Sequence, residues 1–158
     1  MENYQKNLIG HALLVLIIGL LAGFMLAFSL IGGLEVVPSI FMSIPVFGTT
    51  DGWVRAHSGG IANALLMIAV AFALPHCGLA AARLALYAKG IVFAGWANTI
   101  FYWFGNASAN RALSFSDNAL GAANILGTFG YLVAVIAALV TIYIAAQMAR
   151  GFFAQKLG

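Results

Sequence analysis

The spacing of its charges constrains this chain most. Asp, Glu, Lys and Arg make up only 7% of 158 residues. They cut the sequence into four uncharged blocks, 7–34, 56–82, 90–110 and 118–149. Each block exceeds the roughly 20 residues that carry an apolar α-helix through the hydrocarbon of a bilayer. With 63% hydrophobic residues and a mean hydropathy of +1.02, the chain has more apolar surface than a soluble core of this size can bury. Its solvent is lipid. In lipid the backbone must satisfy its own hydrogen bonds, and no strand-like alternation supports a closed barrel. The expected fold is therefore an all-α membrane protein, a single-domain four-transmembrane-helix bundle over 1–158. Its helices are expected at roughly 8–33, 56–75, 84–105 and 122–149, with a long outer loop at 35–53.

The formal net charge is +3. The seven Lys and Arg residues are scattered and form no patch that could track a phosphate backbone, so the chain reads as no nucleic-acid binder. In a membrane protein such cations report orientation instead. With four spans, both termini and the 75–89 loop share one side, which holds Lys6, Arg83, Lys89, Arg150 and Lys156. The other side holds Arg55 and Arg111, together with Glu35, Asp51 and Asp117. This asymmetry predicts cytoplasmic termini and a multi-pass protein of a bacterial-type inner membrane. The first apolar run, Leu8 to Leu34, exceeds the roughly 7–15 residues of a signal-peptide core and reads as a retained span. Cys77 is the single cysteine, which rules out an intrachain disulfide, and no CxxCH motif offers covalent attachment for haem. The neighbours His76 and Cys77 have no distant partner and make a poor metal site.

Between the first two spans, Pro38 and Pro45 interrupt any helix, and Gly48 and Asp51-Gly52 are turn signals. This segment is expected to pack on the outer rim or to cover a site between helices. The fourth span reads mainly as packing material. Gly19-x-x-x-Gly23 in the first span signals a close helix approach.

The informative residues are the polar ones that a bilayer disfavours. The stretch from Gly52 to Asn63 crowds Trp53, Arg55, His57 and Asn63 into the opening of the second apolar run. His11, His57 and His76 are the candidate ligands for a haem iron. Along a continuous helix His57 and His76 stand roughly 28 Å apart, too far to bracket one haem. That argues against a bis-histidine electron-transfer cytochrome and leaves an iron with one open position, the arrangement suited to chemistry. The competing reading of His57 is a satisfied structural histidine. In the third span Asn98 and Tyr102 are four residues apart and share a face, at about the depth of Asn63. Such a layer is either an interhelical hydrogen-bond clamp or the wall of a ligand site. His57 and Asn63 are separated by about 600° of helix rotation, ~120° from facing the same way. A cofactor served by both would lie between subunits, as closed rings of subunits permit. Arg55 and Arg111, at the outer ends of the site-bearing helices, suit haem propionates; their plainer role is topology or headgroup contact.

These blocks resemble the styrene oxide isomerase family of integral membrane proteins. The matching residues are Gly52-Trp53-x-Arg55-Ala56-His57-Ser58-Gly59 with Asn63, and Gly95-Trp96-Ala97-Asn98-x-x-Phe101-Tyr102-x-Phe104-x-Asn106-x-Ser108-x-Asn110-Arg111-x-Leu113-x-Phe115. Weaker similarity runs through Gly10-His11, Gly32-Gly33-x-Glu35 and the Ala69–Pro75 end of the second span. The sequence departs at Ala107, Ala109 and Ala112, where the family pattern has an aromatic residue, a proline and a glycine. The resemblance implies a redox-neutral rearrangement of an aryl epoxide to an aldehyde, using ferric haem b in a homotrimer. It implies His57 as the iron ligand and Asn63 and Tyr102 as active-site residues. Asn98 joins Arg55 and Arg111 as a residue expected beside the cofactor. A hydrophobic small-molecule epoxide, the lipid bilayer and an upstream monooxygenase are the expected partners. The rival readings are a haem-bearing electron carrier or sensor and a haem-free membrane carrier or assembly protein.

Overall fold

The computed structural model describes residues 1–155. Four helices carry the fold: α1 (Asn3–Ile31), α2 (Thr50–Ala73), α3 (Ala81–Asn106) and α4 (Ile125–Ala154). A two-stranded antiparallel hairpin, β1 (Gly33–Val37) and β2 (Ile40–Ser43), follows α1, and a 3-10 turn over Leu74–His76 extends α2. All four helices are long and apolar enough to cross a membrane. Large apolar side chains such as Leu13, Phe24, Leu139 and Ile142 stand exposed on their outer faces, where a bilayer is the compatible solvent.

Helix ends depart from the expected bounds for identifiable reasons. α1 starts at Asn3 because the Gln5 side chain reaches back and accepts from the Glu2 N–H at 2.8 Å, a capping-box contact. The same side chain donates to Ala71 O at 3.0 Å and ties the start of α1 to the end of α2. α2 starts at Thr50, inside the expected outer loop, because Thr49 caps it: Gly52 N–H donates to Thr49 Oγ1 at 3.0 Å. Asp51 in that first turn complements the positive end of the helix dipole. The rest of the expected loop is largely the hairpin. Pro38 takes the first central position of its turn and Ser39, with φ +70°, the second. Ser39 N–H donates to Glu35 Oε1 at 2.9 Å, which helps hold that backbone. α4 runs past its expected end to Ala154; Lys156, counted above for orientation, lies outside the described residues.

Lipid tails are as apolar as leucine, so close packing rather than hydrophobic exclusion holds such helices together. α1 and α2 meet backbone to backbone at Gly19 and Gly60, where a Cβ on Gly60 would stand 2.7 Å from Gly19 Cα. The larger core, with Leu8, Val15, Met67, Leu74, Tyr87 and Ile144, fills the half of the bundle nearest the termini. Toward the opposite end a smaller cluster of Ala22, Trp53 and Ala56 is flanked by Tyr102 and Trp103.

The loop between α3 and α4 is organised by one side chain. Asn110 is fully buried. It accepts from Ser108 Oγ and Ala112 N and donates to the carbonyls of Ser114 and Ser116, all within 2.8–3.1 Å. Arg111 and Ala112 follow with φ of +57° and +54°. The glycine that the resemblance leads one to expect at Ala112 would take this left-handed backbone without steric cost.

Candidate active site

His57 lies on the edge of α2 that faces α1. Its Nδ1 stands 2.9 Å from Gly19 O. A carbonyl can only accept, so Nδ1 carries a proton; the neutral ring then has its lone pair on Nε2, which has no hydrogen-bond partner among the described residues. The carbonyl is reachable because Gly23, one turn further along α1, has no side chain: a Cβ there would stand 2.8 Å from the imidazole. The two glycines of the Gly19/Gly23 pair thus have separate tasks. Gly19 receives Gly60, and Gly23 receives the imidazole ring. An imidazole with its far nitrogen fixed by a carbonyl and its near nitrogen free is the state in which histidine ligates a metal. The residues present therefore fit a haem iron at Nε2.

On the opposite edge of α2, Asn98 Nδ2 of α3 donates to Asn63 Oδ1 at 3.4 Å. Asn63 is 9% exposed, and its Nδ2 has no hydrogen-bond partner among the described residues. Asn98 thus holds Asn63 by its oxygen and leaves its donor free. One turn toward the outer end, the Tyr102 ring lies over Gly59, so closely that any Cβ on Gly59 would overlap it. The Tyr102 hydroxyl makes no hydrogen bond among the described residues. The sequence expectation that Asn63, Asn98 and Tyr102 occupy one layer thus corresponds to a wall with two free donors.

The structure does not bring His57 to that wall. His57 and Gly59 are about 200° apart around α2, with the first against α1 and the second under Tyr102. Arg55, two residues before His57, lines a cleft with Arg111 at the outer end of the bundle, on the α3 side. The remaining candidates are engaged elsewhere. His11 Nδ1 accepts from Trp96 Nε1 at 3.1 Å, an α1–α3 tie. Cys77 is buried and its thiol donates weakly to Ala73 O at 3.5 Å; burial pushes that thiol above its usual pKa. Asn106 was placed in the loop by sequence, yet it closes α3 and its Oδ1 accepts from Thr49 N–H at 2.8 Å. Its place in the matched block was the available signal.

Four membrane-length helices with an imidazole and a layer of amide and phenol groups toward one end define a polytopic helical membrane protein with an intramembrane polar site. The sequence model of the styrene oxide isomerase family matches residues 4–153. A styrene-oxide isomerase from Pseudomonas fluorescens is 40% identical over 122 residues, covering 77% of this chain and 72% of that protein. The chain belongs to the styrene oxide isomerase family, and it is an isomerase.

Proposed function

We propose that this protein converts a hydrophobic aryl epoxide of the styrene oxide type to the corresponding aldehyde by Meinwald rearrangement, with ferric haem b held by His57 in a homotrimer. The observation that carries this reading is the free Nε2 of an imidazole whose Nδ1 is fixed on Gly19 O. A haem held by His57 would supply Lewis-acid chemistry for opening the epoxide at its benzylic carbon. The protein's own residues do the rest. Tyr102 and Asn63 each offer a free donor toward the oxygen as negative charge develops on it, and Asn98 keeps Asn63 in place. The migrating hydride stays within the substrate, so no protein base is required. The surrounding lipid and apolar helix faces admit an aryl substrate and exclude the water that would open the epoxide to a diol. The lysine and arginine asymmetry supports cytoplasmic termini in an inner membrane, with the His57 end of α2 facing outward. An alkene monooxygenase is the class of enzyme that would supply such a substrate. Purified protein is expected to show a Soret band and to turn styrene oxide into phenylacetaldehyde without added reductant. Absence of the band, or a diol as product, would overturn the reading.

The opposite edges of α2 occupied by His57 and by the Asn63–Tyr102 wall favour a site completed between subunits. Co-expressed His57→Ala and Asn63→Ala chains, each poor alone, are expected to recover part of the parental activity. Mixed interfaces can pair an intact His57 with an intact Asn63. No recovery in verified mixed oligomers would assign the whole site to one subunit.

A further inference from the structure

In the half of the bundle nearest the termini, an apolar groove of about 570 Å³ runs between α3 and α4. Its lining includes Leu86, Lys89, Gly90 and Phe93 of α3 and Leu139 and Tyr143 of α4. Leu86, Phe93, Leu139 and Tyr143 form its exposed rims, and Tyr143 meets the ring of Tyr87 edge to face at 6.2 Å. Gly90 makes the floor: a Cβ there would stand 2.6 Å from Ile144 Cδ1, so the two helices close up behind the groove. Lys89 is exposed and is the one charged residue of the lining. It lies eight residues from the Ala81 start of α3, about 12 Å along the axis. The 26 residues of α3 make a helix of about 39 Å, against a hydrocarbon core of about 30 Å. A span centred in the bilayer therefore puts the Lys89 backbone inside the hydrocarbon, and its stem must run along the groove toward the headgroups. No carboxylate among the described residues pairs with it; the ion pair they contain is Arg111–Asp51, at the other end of the bundle. On the side of the termini, Lys6, Arg83, Lys89 and Arg150 stand against Glu2 as the lone acidic side chain among the described residues. An ammonium held at that depth without a protein counterion is costly. The nearest source of an anion is the lipid itself.

We propose that the α3–α4 groove binds an anionic phospholipid of the leaflet on the side of the termini, with its phosphate on Lys89 and one acyl chain running past Gly90 to Phe93. Charge complementarity selects the headgroup. A zwitterionic lipid brings its own ammonium to a side already rich in cations, whereas an anionic one does not, and basic pockets between membrane helices take such headgroups. The groove makes this a site rather than a diffuse attraction. Among lipid tails a chain gains nothing from hydrophobic exclusion, so it is held by close packing between the helices. The groove lies toward the opposite end of α3 from Asn98 and Tyr102, and its occupancy does not depend on the haem or on the reaction.

The test titrates the full-length protein, in a mild non-ionic detergent, with phosphatidylglycerol and with phosphatidylcholine of matched acyl chains, and counts bound lipid by native mass spectrometry. The parent is expected to bind phosphatidylglycerol about fivefold or more tighter, the scale of one lysine meeting an anionic headgroup. Lys89→Gln should bring the two lipids to parity at the parent's phosphatidylcholine affinity, which also shows that the variant is folded. Arg83→Gln removes a cation of the same side from outside the groove and should keep the preference. Leu139→Trp fills the groove from its exposed rim on α4 and should weaken both lipids, with the parent's melting temperature in lipid-free detergent. Leu86→Trp repeats that test from the α3 rim. Equal binding of the two lipids by the parent, or no binding, overturns the proposal. A preference that survives Lys89→Gln, or that Arg83→Gln abolishes as fully, reports diffuse attraction to the basic side and overturns the site. Undiminished binding by both tryptophan variants overturns the acyl-chain groove. If a second copy of the chain covers this face instead, the tryptophan variants change the oligomeric mass with lipid absent, and that result overturns the lipid assignment.

Discussion

His57→Ala protein is expected to insert and purify without a Soret band and with isomerase turnover reduced to background. Among the described residues, alanine removes the one imidazole whose Nδ1 is anchored on a backbone carbonyl, Gly19 O, and whose Nε2 has no partner, so no equivalent ligand remains there. The fold should survive. Gly19 and Gly60 remain in contact, and the ring sits in the space left by Gly23 without filling the core cluster. That space suits a small-molecule replacement, so added imidazole is expected to restore part of both the Soret band and the turnover. The matched controls are His11→Ala and His76→Ala. His11 is engaged with Trp96, and His76 is exposed in the turn after α2; both variants should keep haem and activity. Full haem occupancy in His57→Ala would remove the ligand assignment.

The four spans were legible because an uncharged block of that length has few alternatives in lipid. Their ends were less so. Reading the start of α2 from Arg55 treated charge as a boundary, yet Asp51 and Arg55 sit inside its first turns. At the membrane surface a charge near a helix end costs little, and the Thr49 cap marks the start instead. The β1–β2 hairpin escaped because its strands lack the polar–apolar alternation of a half-buried sheet. Val36, Val37, Ile40, Phe41 and Met42 are all exposed, and a proline at the turn was read as an interruption. At the site, a constant 100° per residue was enough to separate His57 from Asn63. The sequence could not disclose that the partner of His57 is a backbone carbonyl, because any residue supplies one. The usable trace was Gly23, which clears the approach. Depth matching between antiparallel spans put Asn98 and Asn63 in one layer but left open whether they clamp the helices or line a site; the hydrogen bond between them is seen only in the structure. The donor left free on Asn63 required the actual pairing.

Tyr102→Phe separates a catalytic donor from a packing residue. The ring of Tyr102 lies over Gly59 and beside the Trp53–Ala56 cluster, so phenylalanine keeps these contacts. The hydroxyl has no partner in the described structure, and its loss therefore breaks no helix-to-helix hydrogen bond. The melting temperature and haem content of Tyr102→Phe are expected to match the parent. If the phenol donates to the epoxide oxygen as its bond to carbon breaks, turnover per bound haem should fall on the order of a hundredfold or more, the usual result of removing one preorganised oxyanion donor. The loss should appear in kcat more than in KM, because the charge it stabilises is greater in the transition state than in the bound epoxide. A donor that only positions the substrate would raise KM instead. Turnover per haem with styrene oxide in detergent reads the difference. An unchanged value would leave Asn63, held by Asn98, as the remaining donor at this wall, and the predicted sensitivity to amide removal would then pass to Asn63→Ala.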